Sequence, residues 1–233
     1  MKNMPNTYQK IHLGSEAIFN DFLGESIRRA ENAKETCDII CKKIKENEEF
    51  FLGHSFATWY DDEKNKVQGD ITKLPPEHFR LASEIFGYLS LERLDSLLAI
   101  VMSVFSLESF INFIGYDSSE HGIFEREVWD SIKQDRLEKK VYLLQFLLKD
   151  KLNGEKKVGI KDDLFKDLQK IIELRNYIVH YKDYRFKEML LHPSGILVSH
   201  YYEKINPKTA LFAVETVEKI MDTFIISKNE AVT

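Results

Sequence analysis

The stretch DDLFKDLQKIIELRNYIVHYK, Asp162 to Lys182, decides how the rest of the chain is read. Asp162 is a helix-capping residue type. Leu164, Leu168, Ile171, Arg175 and Ile178 follow at spacings of three and four, on one face of a helix predicted from Asp163 to about Tyr181. Arg175 thus stands on an apolar stripe, where a guanidinium is rare unless something pairs with it. Asn176 and His180, four apart, share a neighbouring face. Two explanations stay open from spacing alone. In one, a buried carboxylate holds Arg175 and His180 bonds to backbone. In the other, the three side chains face a ligand. Glu108 is the candidate carboxylate, because it and Asn112 fall on the same face as Leu97, Val101 and Phe105 of an earlier helix.

On either side of this stretch the chain reads as further helices. Pro76 starts a short one, Glu77 to Tyr88, and Ser90 caps a long one, Leu91 to Ile114, closed by Gly115. Trp129 to Lys149 is a third. EMLLHPSGILVSHYYEK, Glu188 to Lys204, reads as two short strands around a Pro-Ser-Gly turn. Asn206-Pro207 is a cap followed by a first turn, and the last helix runs from Thr209 to Ile226. Ahead of all these, Ser15 caps a charged helix from Glu16 to about Phe50. Its packing face is Ile18, Phe22, Ile27, Ala30, Ala33, Cys37, Ile40, Cys41 and Ile44. His54 to Ile71 is a small hairpin or an irregular loop. The expected fold class is all-α: a four-helix up-and-down bundle over 86–228 with a helical N-terminal extension over 1–85, a small β-hairpin before the last helix and a tail at 229–233.

Composition agrees with that class. At 233 residues, one domain with an extension or two small domains is expected from about 150 residues per domain. Only 10 Gly and 5 Pro disfavour a turn-rich sandwich or barrel. With 33 basic and 38 acidic side chains the net charge is −5, so nucleic acid could be held only by a local patch. Lys133 to Lys161 supplies 9 basic against 4 acidic residues, and Lys170 to Lys187 supplies 5 against 2. Tyr177, Tyr181, Tyr184 and Phe186 offer rings for stacking on bases or for packing. The first residues carry no apolar leader, and Leu97 to Leu107 is short of the roughly 20 apolar residues of a span. The expectation is a cytoplasmic protein without a membrane partner.

Arg175-Asn176-x-x-x-His180, near the end of the third core helix, resembles the hallmark of the HEPN family (higher eukaryotes and prokaryotes nucleotide-binding domains). The helix carrying Ser106 to Tyr116, with Glu108 and Asn112, and the closing helix Ala210 to Phe224 are similar to the family's first and last. The resemblance covers about Leu89 to Ile226. It implies a homodimer whose two motif helices face a common cleft, and a metal-independent endoribonuclease with no cofactor. The RNA 2′-hydroxyl would attack the adjacent phosphate and leave a 2′,3′-cyclic phosphate. His180, with an ordinary pKa of about 6.5, would move the proton. Arg175 would hold the phosphate and its growing charge. Asn176 would orient His180 or bind the substrate, with Glu108, Asn112 and Tyr181 in support and Glu108 fixing Arg175. Relatives of toxin type, paired with a nucleotidyltransferase antitoxin, carry a Tyr two residues after the His. Here Lys182 stands there, with Tyr181 and Tyr184 one and four residues after His180, so regulation through a motif tyrosine does not carry over, and a toxin or defence role with an antitoxin partner is implied by the resemblance only. The alternative is a non-catalytic interaction or nucleotide-binding module on the same fold.

Other residues carry less. Cys37 and Cys41, four apart, read as a half-buried thiol pair and not as a metal or redox site, because no CxxC spacing and no histidine lies near them in the chain. His192 and His200 flank the expected hairpin and read as polar surface. His54 and His121 have no partner. No GxSxG, Walker or GxGxxG pattern occurs.

Overall fold

The computed structural model describes residues 18–47, 58–60, 66–68, 76–149, 163–179, 189–194 and 196–224. The architecture is all-α. Among the described residues six helices carry it: α1 (Ile18–Glu46), α2 (Pro76–Glu120), α3 (Arg126–Ile132), α4 (Leu137–Leu147), α5 (Asp163–Val179) and α6 (Pro207–Thr223). Two three-residue antiparallel pairs accompany them. Strand β1 (Thr58–Tyr60) pairs with β2 (Lys66–Gln68), and β3 (Met189–Leu191) pairs with β4 (Leu197–Ser199) in the register Met189↔Ser199. A 3-10 turn, His200–Glu203, leads toward α6.

Contacts group the described residues into two compact units, each built from segments that are not consecutive in the chain. The first holds 18–27, 99–149, 163–179 and 212–224, and the second holds 28–47, 58–60, 66–68, 76–98, 189–194 and 196–211. In the first, Phe110 of α2 is fully buried. It meets Phe19 of α1 edge-on at 5.2 Å and Phe224, just past α6, at 6.3 Å. Leu144 and Leu148, Leu168 and Ile171, and Val217, Ile220 and Met221 complete that core. In the second, Ile40, Ile44 and Ile85 form a buried cluster against Leu81, Tyr88, Leu89 and Ile196.

Several expectations are corrected. The start of α1 buries Phe19 and Leu23, one residue round from the expected Ile18 and Phe22, with Ile18 60% exposed, whereas from Ala30 onward the expected Ala30, Ala33, Ile40 and Ile44 are buried. The two helices expected between Glu77 and Ile114 are one helix of 45 residues. Ser90 is no cap: its hydroxyl donates back to the Phe86 carbonyl at 2.9 Å, within the helix. Gly115 does not end the helix either. A Cβ there would fall under 3 Å from the Trp129 ring, so this glycine allows α2 and α3 to approach closely. The single helix expected from Trp129 to Lys149 is divided into α3 and α4. Asp135, just before α4, accepts from Lys139 at 2.9 Å and puts a negative charge at that helix's N-terminus.

The N-terminus of α6 follows its sequence signal. Asn206 Oδ1 accepts from the Thr209 N–H at 3.0 Å, and Thr209 Oγ1 accepts from the Asn206 N–H at 3.1 Å. Helix α2 also contains an 18-residue window of mean hydropathy 2.0, enough by length and composition to cross a membrane, with 44% of it buried inside the protein. Ala99, Ile100, Val104, Leu107, Phe110 and Ile111 of this helix are all buried in the first unit's core.

Candidate functional site

Helix α5 packs through Phe165, Leu168, Ile171 and Ile172, and Arg175 continues that stripe one turn further as a half-buried residue. Its Nε is enclosed and has no hydrogen-bond partner. Asn176 beside it is exposed. His180 and Tyr181 lie outside the described residues.

Glu108 and Asn112 on α2 converge on a different cation from the one expected. Lys140 of α4, with a side chain only 3% exposed, donates to Asn112 Oδ1 at 2.8 Å and lies 3.5 Å from Glu108 Oε1. An ammonium that deep in the protein needs such acceptors, since desolvation opposes its charge. Glu108 is 38% exposed, so one end of the pair reaches solvent. The expectation that Glu108 fixes Arg175 is therefore replaced by a Glu108–Lys140–Asn112 group.

The second unit holds a cluster that sequence reasoning missed. Glu92 of α2 and His192, just after β3, are both 1% exposed. The backbone N–H of Ser194 donates to His192 Nδ1 at 3.0 Å, and the Ser194 hydroxyl lies 2.7 Å from the same nitrogen. Nδ1 is thus the acceptor nitrogen, and Nε2 carries the proton and donates to Glu92 Oε2 at 3.0 Å. Tyr202 O–H donates to Glu92 Oε1 at 2.9 Å. Cys37 Sγ of α1 sits 3.8 Å from His192 Nε2. Burial first, and then the Glu92 carboxyl and Cys41, push the Cys37 thiol up to about 12, and burial also raises Cys41 and Tyr202. A thiol held this way is a poor nucleophile at neutral pH.

The surface reading of His192 is overturned, and so is the lack of a histidine near the cysteines, since the fold supplies one from 155 positions away. One signal did exist. Glu92 stands seven residues from both Ile85 and Ala99, which are buried like it, as an acidic residue on a packing face. No family model, no curated protein and no solved structure matches this chain.

Proposed function

We propose that the chain is a metal-independent endoribonuclease of HEPN type, a cytoplasmic homodimer with a four-helix core, a helical N-terminal extension and a small hairpin before the last helix. Arg175 would bind the scissile phosphate, His180 would move the proton of the 2′-hydroxyl, and Asn176 would orient one or the other.

The observation that carries this reading is Arg175. Among the described residues three enclosed side-chain polar atoms lack a partner, Ser96 Oγ, Gln145 Nε2 and Arg175 Nε, and only the last belongs to a charged group. A guanidinium held on a packing stripe with a donor unsatisfied is expensive for a purely structural residue, and the planar fork of its terminal nitrogens matches a phosphate. Asn176 at the same turn is open to solvent, as a substrate-contacting residue must be.

The test is cleavage of a mixed-sequence single-stranded RNA in excess EDTA by the wild-type chain, Arg175→Ala and His180→Ala. Folding and dimerisation of each are checked in the same buffer. Cleavage by the wild type with cyclic phosphate ends is expected, with each variant slower by about 10²-fold or more. No cleavage of several RNAs by a folded dimer would leave the non-catalytic interaction module in its place.

A further inference from the structure

A thiol, a carboxyl group and an imidazole converge in the second unit on atoms that lie within 4.8 Å of one another, and the reaction proposed above uses none of them. The geometry points to a structural zinc site formed by Cys37, Cys41, Glu92 and His192. Four-coordinate zinc, with Zn–S of about 2.3 Å and Zn–N or Zn–O of about 2.0 Å, sets sulfur about 3.6 Å from nitrogen and nitrogen about 3.3 Å from oxygen. The corresponding separations here are 3.8 Å for Cys37 Sγ to His192 Nε2 and 3.0 Å for His192 Nε2 to Glu92 Oε2. Cys41 stands one helical turn beyond Cys37 on the same side of α1, next to the group of three whose ligand atoms lie within 4.8 Å of one another, and its thiol would swing in as the fourth ligand. Two thiols and an imidazole select zinc over magnesium or calcium, which prefer oxygen.

Of the outer groups, the one on Glu92 fits as it stands, and the one on His192 fits once a ring proton is relocated. A ligating histidine needs a partner for its other ring nitrogen, and Ser194 Oγ lies 2.7 Å from Nδ1. Tyr202 O–H holds Glu92 Oε1 and leaves Oε2 for the metal. In the metal-free arrangement His192 carries its proton on Nε2. Loading requires that proton to move to Nδ1, where Ser194 Oγ accepts it, and the ring gives up its bond from the Ser194 main-chain N–H. Cys37 and Cys41 each release a proton to solvent and become thiolates. Zinc then joins α1, α2 and the segment after β3 within this unit, and closes its coordination without an open position.

Cobalt(II) in place of zinc gives the experiment its readout. Cys37 and Cys41 are the chain's only 2 cysteines, so any thiolate-to-cobalt charge-transfer band must come from them. The metal-stripped full-length chain is titrated with cobalt and then with zinc. The expected result is a tetrahedral cobalt spectrum with a thiolate band that saturates at one equivalent and is abolished by one equivalent of zinc. Cys41→Ser should weaken the thiolate band and His192→Gln should lose the tetrahedral spectrum. Should either variant fail to fold, alkylation of the wild type followed by mass spectrometry gives the same information, zinc protecting Cys37 and Cys41 together. A wild-type chain with no thiolate band and no zinc protection overturns the site and leaves the cluster as a hydrogen-bonded pin. A band that Cys41→Ser leaves unchanged removes Cys41 from the ligand set.

Discussion

At Glu218 on α6, burial first, and then the neighbouring carboxyls of Asp222 and Glu215, hold the side chain above the ordinary carboxylate range; burial does the same to Asp222. A carboxyl whose folded-state pKa is raised binds more protons in the folded state than in the unfolded one. Its contribution therefore favours folding at low pH and is lost as pH rises from the unfolded value through the folded one. Glu218→Gln should raise Tm at pH 7, and the gain should shrink toward zero as pH falls below about 4, where both states of the wild type are protonated. Thermal melts of both chains across that range check it, and a gain independent of pH would assign the effect to packing. Lys140 and Arg175 differ at the same scale. Lys140 is deeply buried and has its acceptors inside the protein, whereas Arg175 Nε has none. Both positions were legible as polar residues on helices. Which of the two cations Glu108 meets was not, because a side chain's partner on another helix leaves no trace in local spacing.

Helix α2 shows how local signals fail at the scale of an element. Ser90 and Gly115 are residue types that cap helices, yet both lie inside one. Serine is tolerated because its hydroxyl bonds to the turn before it, and glycine because the Trp129 ring occupies the space of a side chain. Gly115→Ala should therefore destabilise the chain by about 1–3 kcal/mol, although alanine is the better helix former, because overpacking against the indole outweighs propensity. Urea denaturation measures this, and replacing Trp129 with a smaller side chain should recover part of the loss. A stabilised Gly115→Ala chain would mean that α3 yields readily. At α6 the local signal succeeded, since Asn206 and Thr209 satisfy each other within one turn and need nothing from the rest of the fold.

At the scale of the molecule, the start of α1 packs into a core with α2. Phe19 covers Phe110, and the Ser106 hydroxyl donates to the Phe19 carbonyl at 2.7 Å across 87 positions of chain. Losing one buried phenylalanine side chain costs about 3–5 kcal/mol, against a total stability of about 5–15 kcal/mol for a domain. A chain lacking residues 1–85 also loses Leu23, so it should show no cooperative melt and should bind a hydrophobic dye such as ANS. A cooperative, dye-free transition would mean that the remaining helices close over Phe110 by themselves. By itself the sequence determined that the protein is helical, that α5 carries Arg175 on its packing stripe and that α6 begins at Asn206-Pro207, because helical period and capping act within a few residues. Only the tertiary structure decided that α2 is continuous, that Lys140 takes Glu108 and Asn112, and that Cys37, Glu92 and His192 meet. Each of those outcomes depends on side chains distant in sequence competing for the same enclosed space, and no local pattern records that competition.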